Sequence, residues 1–267
     1  MRSTLSDKIL DIERNDAGVW RVFLNRPEVR NAFNSEVIRA LHEAFERINA
    51  DSEAKAVVLG GHGKAFCAGG DLNWMRAMAD YDWEANGRDA QAMADMMAMI
   101  EACPVPIIGR VHGDCYAGGM GLCAQSDIVV AVPEVTFCLS EVRLGLIPAT
   151  ISPYVVRSMG YRAAQRYFVT AERFNVQVAA DCGLVHEIVS AEQLDDRIQA
   201  IVDAILGCGP AAVRASKQLV RDVAQREINS ELRAETARRI ADIRATDEGK
   251  EGVSSFLEKR SPKWLGA

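Results

Sequence analysis

The chain predicts an α/β fold whose sheet is at least partly parallel, followed by a helical region. Three observations carry this. Short apolar runs alternate with helix-period segments through the first half of the chain. Two glycine-rich turns, at 66–72 and 116–121, stand where an expected strand gives way to an expected helix. From about residue 149 onward nearly every periodic segment is helical.

Residues 8–13 and 19–24 read as a β-hairpin with Asn15-Asp16-Ala17-Gly18 as its turn. Residues 26–30 form a loop. Asn34 or Ser35 then caps a helix to about residue 50, whose Val37, Leu41, Ala44, Phe45 and Ile48 recur at helical spacing. Ala56 to Leu59, closed by Gly60-Gly61, has the unbroken apolar character of a buried strand. Trp74 to Met78 reads as a short helix, 80–86 as a polar loop and 87–102 as a methionine-rich helix. Its Met96, Met97 and Met99 fit a core or cleft wall better than an adaptable binding surface. Pro104 and Pro106 introduce a strand at 106–111, a helix opens near 118–125, and strands follow at 128–131 and 135–138. Beyond them only 184–188 reads as a strand, and helix breaks fall near Gly160, Gly183 and Gly207-Cys208-Gly209-Pro210. The expected division is an α/β core over 1–200 and a helical region over 201–267.

With 267 residues, 49% of them hydrophobic and 25% charged, the chain can bury a full core as an ordinary soluble globular protein. A formal charge of −6 opposes general binding to nucleic acid or to an anionic membrane. No apolar run reaches bilayer length, and residues 1–8 lack the apolar segment of a secretory signal, so a cytoplasmic location is expected. Seven cysteines without a Cys-x-x-Cys and four scattered histidines suggest neither a metal site nor a disulfide framework. The cysteines read as small buried hydrophobes; a nucleophilic Cys67 or Cys115 would lack a histidine nearby in sequence.

The two glycine turns carry the chemistry. Backbone N–H groups at such turns are unscreened by side chains, and helix N-termini add unpaired donors. Two of them converging would stabilise one developing oxyanion. Glu141 follows the expected strand 135–138; screened from water, its carboxyl would exchange protons near neutrality. The residues alone equally allow a helix cap or a partner for Arg143.

The segments Phe66-Cys67-Ala68-Gly69-Gly70-Asp71-Leu72, Ala117-Gly118-Gly119 and Ser140-Glu141-Val142-Arg143-Leu144-Gly145-Leu146-Ile147-Pro148 occur in that order. The chain thereby resembles the enoyl-CoA hydratase/isomerase (crotonase) superfamily, from Arg30-Asn31-Ala32-Phe33-Asn34 to Phe256-Leu257-Glu258-Lys259-Arg260. The resemblance implies a crotonase-like spiral of ββα units with a helical C-terminal trimerisation region, and a homotrimer or homohexamer. It implies that the N–H groups of Gly70 and Gly118 hold the carbonyl oxygen of a CoA thioester while Glu141 transfers protons. CoA would lie along Ala32, Ala68, Asp71 and Leu72, with Arg30 and Lys64 near its phosphates. Phe256 and Lys259 would come from the C-terminal helices, often a neighbouring subunit's. No cofactor is implied beyond the CoA carried by the acyl-CoA substrate, and no metal.

One departure stands out. Hydratases of this kind carry a second glutamate two residues beyond the second glycine, where this chain has Gly121. One carboxyl suffices for a Δ3-Δ2-enoyl-CoA isomerase. Yet Asp71-Leu72-Asn73-Trp74-Met75, Leu139-Ser140-Glu141-Val142-Arg143, Ile151-Ser152-Pro153 and Thr170-Ala171-Glu172-Arg173-Phe174 are similar to methylglutaconyl-CoA and isohexenylglutaconyl-CoA hydratases. The expectation is therefore hydration of an enoyl-CoA, with a branched glutaconyl type as the finer reading. In that reading the substrate's distal carboxylate, with Arg143 or a polar pocket group, replaces the absent glutamate; Arg143 could equally be a structural partner. A non-catalytic RNA-binding role, known in some relatives, is opposed by the acidic charge.

Overall fold

A hairpin opens the chain. In the computed structural model, which describes residues 9–266, β1 (Leu10–Arg14) pairs antiparallel with β2 (Val19–Leu24). Residues 1–8, read above for a signal segment and the start of the first strand, lie outside the described residues. Asn15 Oδ1 accepts from the Val19 N–H at 2.9 Å, and Gly18 takes a left-handed φ of 83° to close the turn. Asn34, rather than Ser35, caps α1 (Ser35–Ala50) by accepting from the Val37 N–H. The buried face of this helix holds Val37, Leu41, Ala44, Phe45 and Ile48, as the spacing predicts.

Three ββα turns follow. The first runs β3 (Ala56–Gly61), β4 (Ala65–Cys67), α2 (Leu72–Met78) and α3 (Trp83–Glu101). The second runs β5 (Ile107–Val111), β6 (Asp114–Tyr116) and α4 (Gly118–Gln125). The third runs β7 (Ile128–Ala131), β8 (Thr136–Cys138), a 3₁₀ turn over Glu141–Leu144 and α5 (Ser152–Thr170). Two short late strands, β9 (Phe174–Asn175) and β10 (Glu187–Ile188), flank α6 (Val176–Asp181).

Among the described residues the first strand of each turn enters a six-stranded sheet, ordered β1-β2-β3-β5-β7-β10 and parallel from β2 onward. The second strand enters a separate sheet, ordered β4-β6-β8-β9. Because β4, β6 and β8 are adjacent and parallel, their C-terminal ends emerge along one edge. The sequence reading passes from 56–59 and 106–111 directly into the glycine turns and misses β4 and β6. Strands of three residues are too short to show an alternating pattern.

α3 also starts earlier than expected, inside the presumed 80–86 loop, because the Asp82 carboxylate caps it at the Ala85 N–H (2.7 Å). Met96 and Met97 are fully buried where α3 packs on α1, so the methionines do fill the core. α5 is kinked at Gly160, whose φ of 74° no helix contains. α7 (Leu194–Leu206) lies on β3, β5 and β7, so the expected division at 200 falls within a helix that belongs to the core. α8 (Pro210–Val223), α9 (Ser230–Ala245) and α10 (Asp247–Glu258) complete the chain. Lys217 anchors α8 through the Asp127 carboxylate at 2.6 Å and the Val105 carbonyl at 2.7 Å. Among the described residues no single helix is long and apolar enough to cross a membrane.

Candidate active site

The edge where β4, β6 and β8 end delivers the three motifs to one place. Ala68, Gly70, Gly118 and Glu141 all line a single cavity of about 390 Å³. Each comes from the turn after one of those strands, so the spiral itself performs the convergence.

The first turn is built by the segment before α1. The Phe33 N–H donates to the Gly69 carbonyl at 2.7 Å, and the Asp71 N–H donates to the Phe33 carbonyl at 2.8 Å. That bridge uses the groups on either side of Gly70 and leaves the Gly70 N–H without an acceptor among the described residues. Gly69 supports it with a φ of 94°. Arg26, which sequence reasoning passed over, locks the arrangement: its guanidinium donates to the Ala32 carbonyl at 2.7 Å and to the Asp71 carboxylate at 2.8 Å. Asp71 also accepts from the Asn73 N–H as the cap of α2. Burial pushes the Asp71 carboxyl up, but Arg26 and the backbone donors outweigh it and hold it below the usual carboxylate range.

The second turn carries strain. Ala117 adopts φ 46°, ψ −118°, a region that suits glycine and costs other residues on the order of 1–3 kcal/mol. Its ψ sets the plane of the peptide that bears the Gly118 N–H, so the strained residue aims the donor. Gly118 opens α4 and has no intrahelical acceptor. The two turns are in direct contact: a Cβ on Gly119 would lie 2.7 Å from the Cys67 Cβ, and the Ala117 N–H donates to the Cys138 carbonyl of the third turn.

In the third turn Gly145, at φ 74°, ends the 3₁₀ segment and allows the Leu146 N–H to reach the Glu141 carbonyl at 3.1 Å. Glu141 Oε2 is buried and has no hydrogen-bond partner among the described residues. Burial pushes the Glu141 carboxyl above its ordinary value, opposed only by its own backbone N–H. The bland reading of this residue as a partner for Arg143 fails. Arg143 donates instead to the Ala171 carbonyl at 2.7 Å and lines another groove, with Arg166 and Arg173. It does not line this cavity, so of the two roles left open for Arg143 the structural one is what the geometry shows, with a backbone carbonyl as its partner.

The remaining expected contacts divide. Leu72 lines the cavity and is exposed. Ala32 is buried, with its carbonyl held by Arg26. Arg30 and Lys64 are exposed, and the Arg30 carbonyl accepts from the Ala68 N–H at 3.0 Å, which places its backbone beside the first turn. Phe256 and Lys259 lie at the end of α10, which packs on α8 and α9, and neither lines the cavity of this chain. The rest of the cavity wall is largely what sequence reasoning missed: Trp74, Met75, Met93, Leu144, Ile147 and Ile151, together with Ser140 and Thr150. The signal was available in Leu144-Gly145-Leu146-Ile147-Pro148, an apolar stretch too short and glycine-broken to be a core helix. Among the described lining residues there is no Arg, Lys or His.

Gly121 settles a further point. A Cβ there would sit 2.5 Å from Ile151 Cγ2 and 2.8 Å from Met97 Cε, so an acidic side chain where hydratases with two glutamates carry one would have to displace Ile151. Burial pushes the Cys67 thiol up to about 12 and Cys115 well above its ordinary value, which opposes a nucleophilic role for either.

The sequence profile described as enoyl-CoA hydratase/isomerase matches residues 14–267. The chain belongs to that family. Among its relatives, the enoyl-CoA hydratase ACTT6 of Alternaria alternata is 34% identical over 243 residues, covering 90% of this chain and 78% of its own length. The crystal structure of an enoyl-CoA hydratase from Shewanella pealeana is 40% identical and superposes with a TM-score of 0.92, covering 97% of this chain and 98% of that one. An enoyl-CoA hydratase from Mycobacterium smegmatis is 36% identical with a TM-score of 0.89, covering 96% and 98%. The fold is the crotonase fold, as the enoyl-CoA hydratase/isomerase motifs imply. Family membership makes the acyl-CoA thioester the substrate class.

Proposed function

We propose that this chain hydrates 2-enoyl-CoA thioesters with a single carboxyl group, Glu141. The observation that carries the reading is a buried, unpartnered carboxylate oxygen in the same cavity as two uncommitted backbone N–H groups. With the thioester oxygen held by Gly70 and Gly118, the Glu141 carboxylate takes a proton from water and the hydroxyl oxygen bonds to Cβ. The double-bond electrons move onto the thioester oxygen as an enolate, which the two N–H groups stabilise; each such donor contributes roughly 2.7–4 kcal/mol. Collapse of the enolate returns the proton from Glu141 to Cα and regenerates the carboxylate. The raised affinity of Glu141 for protons suits a group that must both accept and return one. CoA arrives with the substrate, and no separate cofactor is required by these steps.

The apolar wall supports an uncharged acyl chain, with room for branching. Motif likeness to methylglutaconyl-CoA hydratases supports a branched acyl group, but a distal carboxylate would meet no cation among the described lining residues, and an unpaired buried charge is costly. A trimer or hexamer is supported by the exposed Val220, Ile240, Val253, Phe256 and Leu257 on the last three helices. Such an assembly would bring a neighbour's Phe256 and Lys259 to the CoA.

The specific rival is a Δ3-Δ2-enoyl-CoA isomerase, favoured by the filled space at Gly121. Purified protein is incubated with crotonyl-CoA, methylglutaconyl-CoA and a 3-enoyl-CoA while the conjugated thioester absorbance is followed. Loss of absorbance with crotonyl-CoA, absent in Glu141→Gln, supports hydration of uncharged chains. Gain of absorbance from the 3-enoyl-CoA alone would replace the proposal with isomerisation, and turnover of methylglutaconyl-CoA alone would restore the carboxylate-bearing substrate.

A further inference from the structure

Addition of water by one carboxyl group poses a geometric problem. Glu141 can accept the proton, but a single hydrogen bond leaves the water free to swing about it, and attack on Cβ needs a defined approach. A second polar anchor is required. The cavity offers few. Its wall is apolar apart from the backbone donors, Glu141, the hydroxyls of Ser140 and Thr150, and the Trp74 indole. The indole N–H is already committed to the Asp89 carboxylate at 3.2 Å. The position beyond the second glycine is closed by Ile151 and Met97.

Ser140 and Thr150 bracket the segment that carries Glu141. Both are half-buried, both line the cavity, and among the described residues neither hydroxyl has a hydrogen-bond partner in the protein. Other hydroxyls near this edge are spent: Ser152 on the Ala149 carbonyl, Thr136 on Asp114 and Tyr116. Residues with uncommitted hydroxyls that line the same, otherwise largely apolar cavity as an unpartnered carboxylate are candidates to fix the orientation of a polar guest.

We propose that Ser140 and Thr150 are positioning residues that hold the attacking water against Glu141, supplying the second anchor that a side chain at Gly121 cannot. The water donates one proton to the Glu141 carboxylate, its oxygen bonds to Cβ, and its remaining O–H stays with the new hydroxyl group. The hydroxyl side chains neither gain nor lose a proton. This rests on the hydratase reading above.

The test uses the full chain with crotonyl-CoA and the variants Thr150→Val, Thr150→Ser, Ser140→Ala and the Ser140→Ala/Thr150→Val double. Loss of the anchor is expected to lower kcat of the double variant roughly tenfold or more, the ordinary effect of one or two lost hydrogen bonds. KM and melting temperature should stay near wild type, because the apolar wall is kept, and Thr150→Ser should recover the rate of Thr150→Val. A wild-type kcat in the double variant overturns the proposal. So does a loss confined to KM. Should the double variant fail to fold, the single variants decide: wild-type kcat in both overturns it equally. A wild-type protein that hydrates no enoyl-CoA at all would instead overturn the hydratase reading, a separate result.

Discussion

Replacing Gly118 with alanine should disable the enzyme, whereas the same change at Gly70 should be tolerated. At Gly118 an added Cβ would stand 2.9 and 3.0 Å from two carbons of the Phe33 ring and 3.2 Å from Met93 Cε. That is about half an ångström short of an ordinary 3.4 Å contact, and Phe33 is almost fully buried. Packed on its other sides, the ring has little room to rotate, and a shift of Phe33 as a whole would strain the backbone bonds to Gly69 and Asp71 on both sides of the other donor. Misplacing one oxyanion donor costs about 2.7–4 kcal/mol, or roughly 10²–10³ in kcat; here the displaced ring disturbs both. At Gly70 the Cβ meets the flexible Met75 side chain at 3.4 Å and Trp74 Cε3 at 3.9 Å, both ordinary contacts, and the expected loss is less than about tenfold. The assay is steady-state hydration of crotonyl-CoA by absorbance, with melting temperature recorded alongside. Equal losses in the two variants, or wild-type kcat in Gly118→Ala, would refute the idea that Phe33 couples the two donors.

Glu141→Gln should lower kcat about 10²–10⁴-fold and yet raise the melting temperature at neutral pH. Burial raises the folded-state affinity of Glu141 for protons, so its ionised form costs stability above the raised pKa and nothing below the unfolded value; the gain should vanish in acid. For the same reason kcat of the wild type should fall on the acid side with a midpoint above that of an ordinary glutamate, read from a pH–rate profile. Arg26→Ala should cost about 1.5–3 kcal/mol in a denaturant titration, since it leaves the Asp71 carboxylate buried without its cation. Because Asp71 is held below its ordinary pKa, the wild-type contribution is present above the unfolded value and lost as pH falls through the folded one. Gly121→Glu should destabilise by about 1–3 kcal/mol or more through overpacking against Ile151, and give no faster hydration of crotonyl-CoA; a stable and faster variant would show that the space opens.

Much of the molecule was legible before folding. The hairpin around Gly18, the cap at Asn34, the apolar face of α1 and the run at 56–59 are local, and local chemistry writes them into the order of residues. The glycine turns and Glu141 were legible as motifs. Of the second sheet only β8 was legible, in the strand expected at 135–138; β4, β6 and β9 span two or three residues and are defined by pairing with their neighbours. The sequence likewise could not say that Arg143 turns to the Ala171 carbonyl, or that Ile151 occupies the space beside Gly121.

The chain order by itself determined which groups could do chemistry: two unscreened peptide N–H groups and one carboxyl, at positions whose local turns need glycine. Tertiary structure alone decided that these groups share one largely apolar cavity. Parallel pairing of β4, β6 and β8 brings residues some seventy positions apart to one edge, and burial there is what raises the proton affinity of Glu141. Proximity and desolvation are properties of the packed chain and have no counterpart in any single stretch of it.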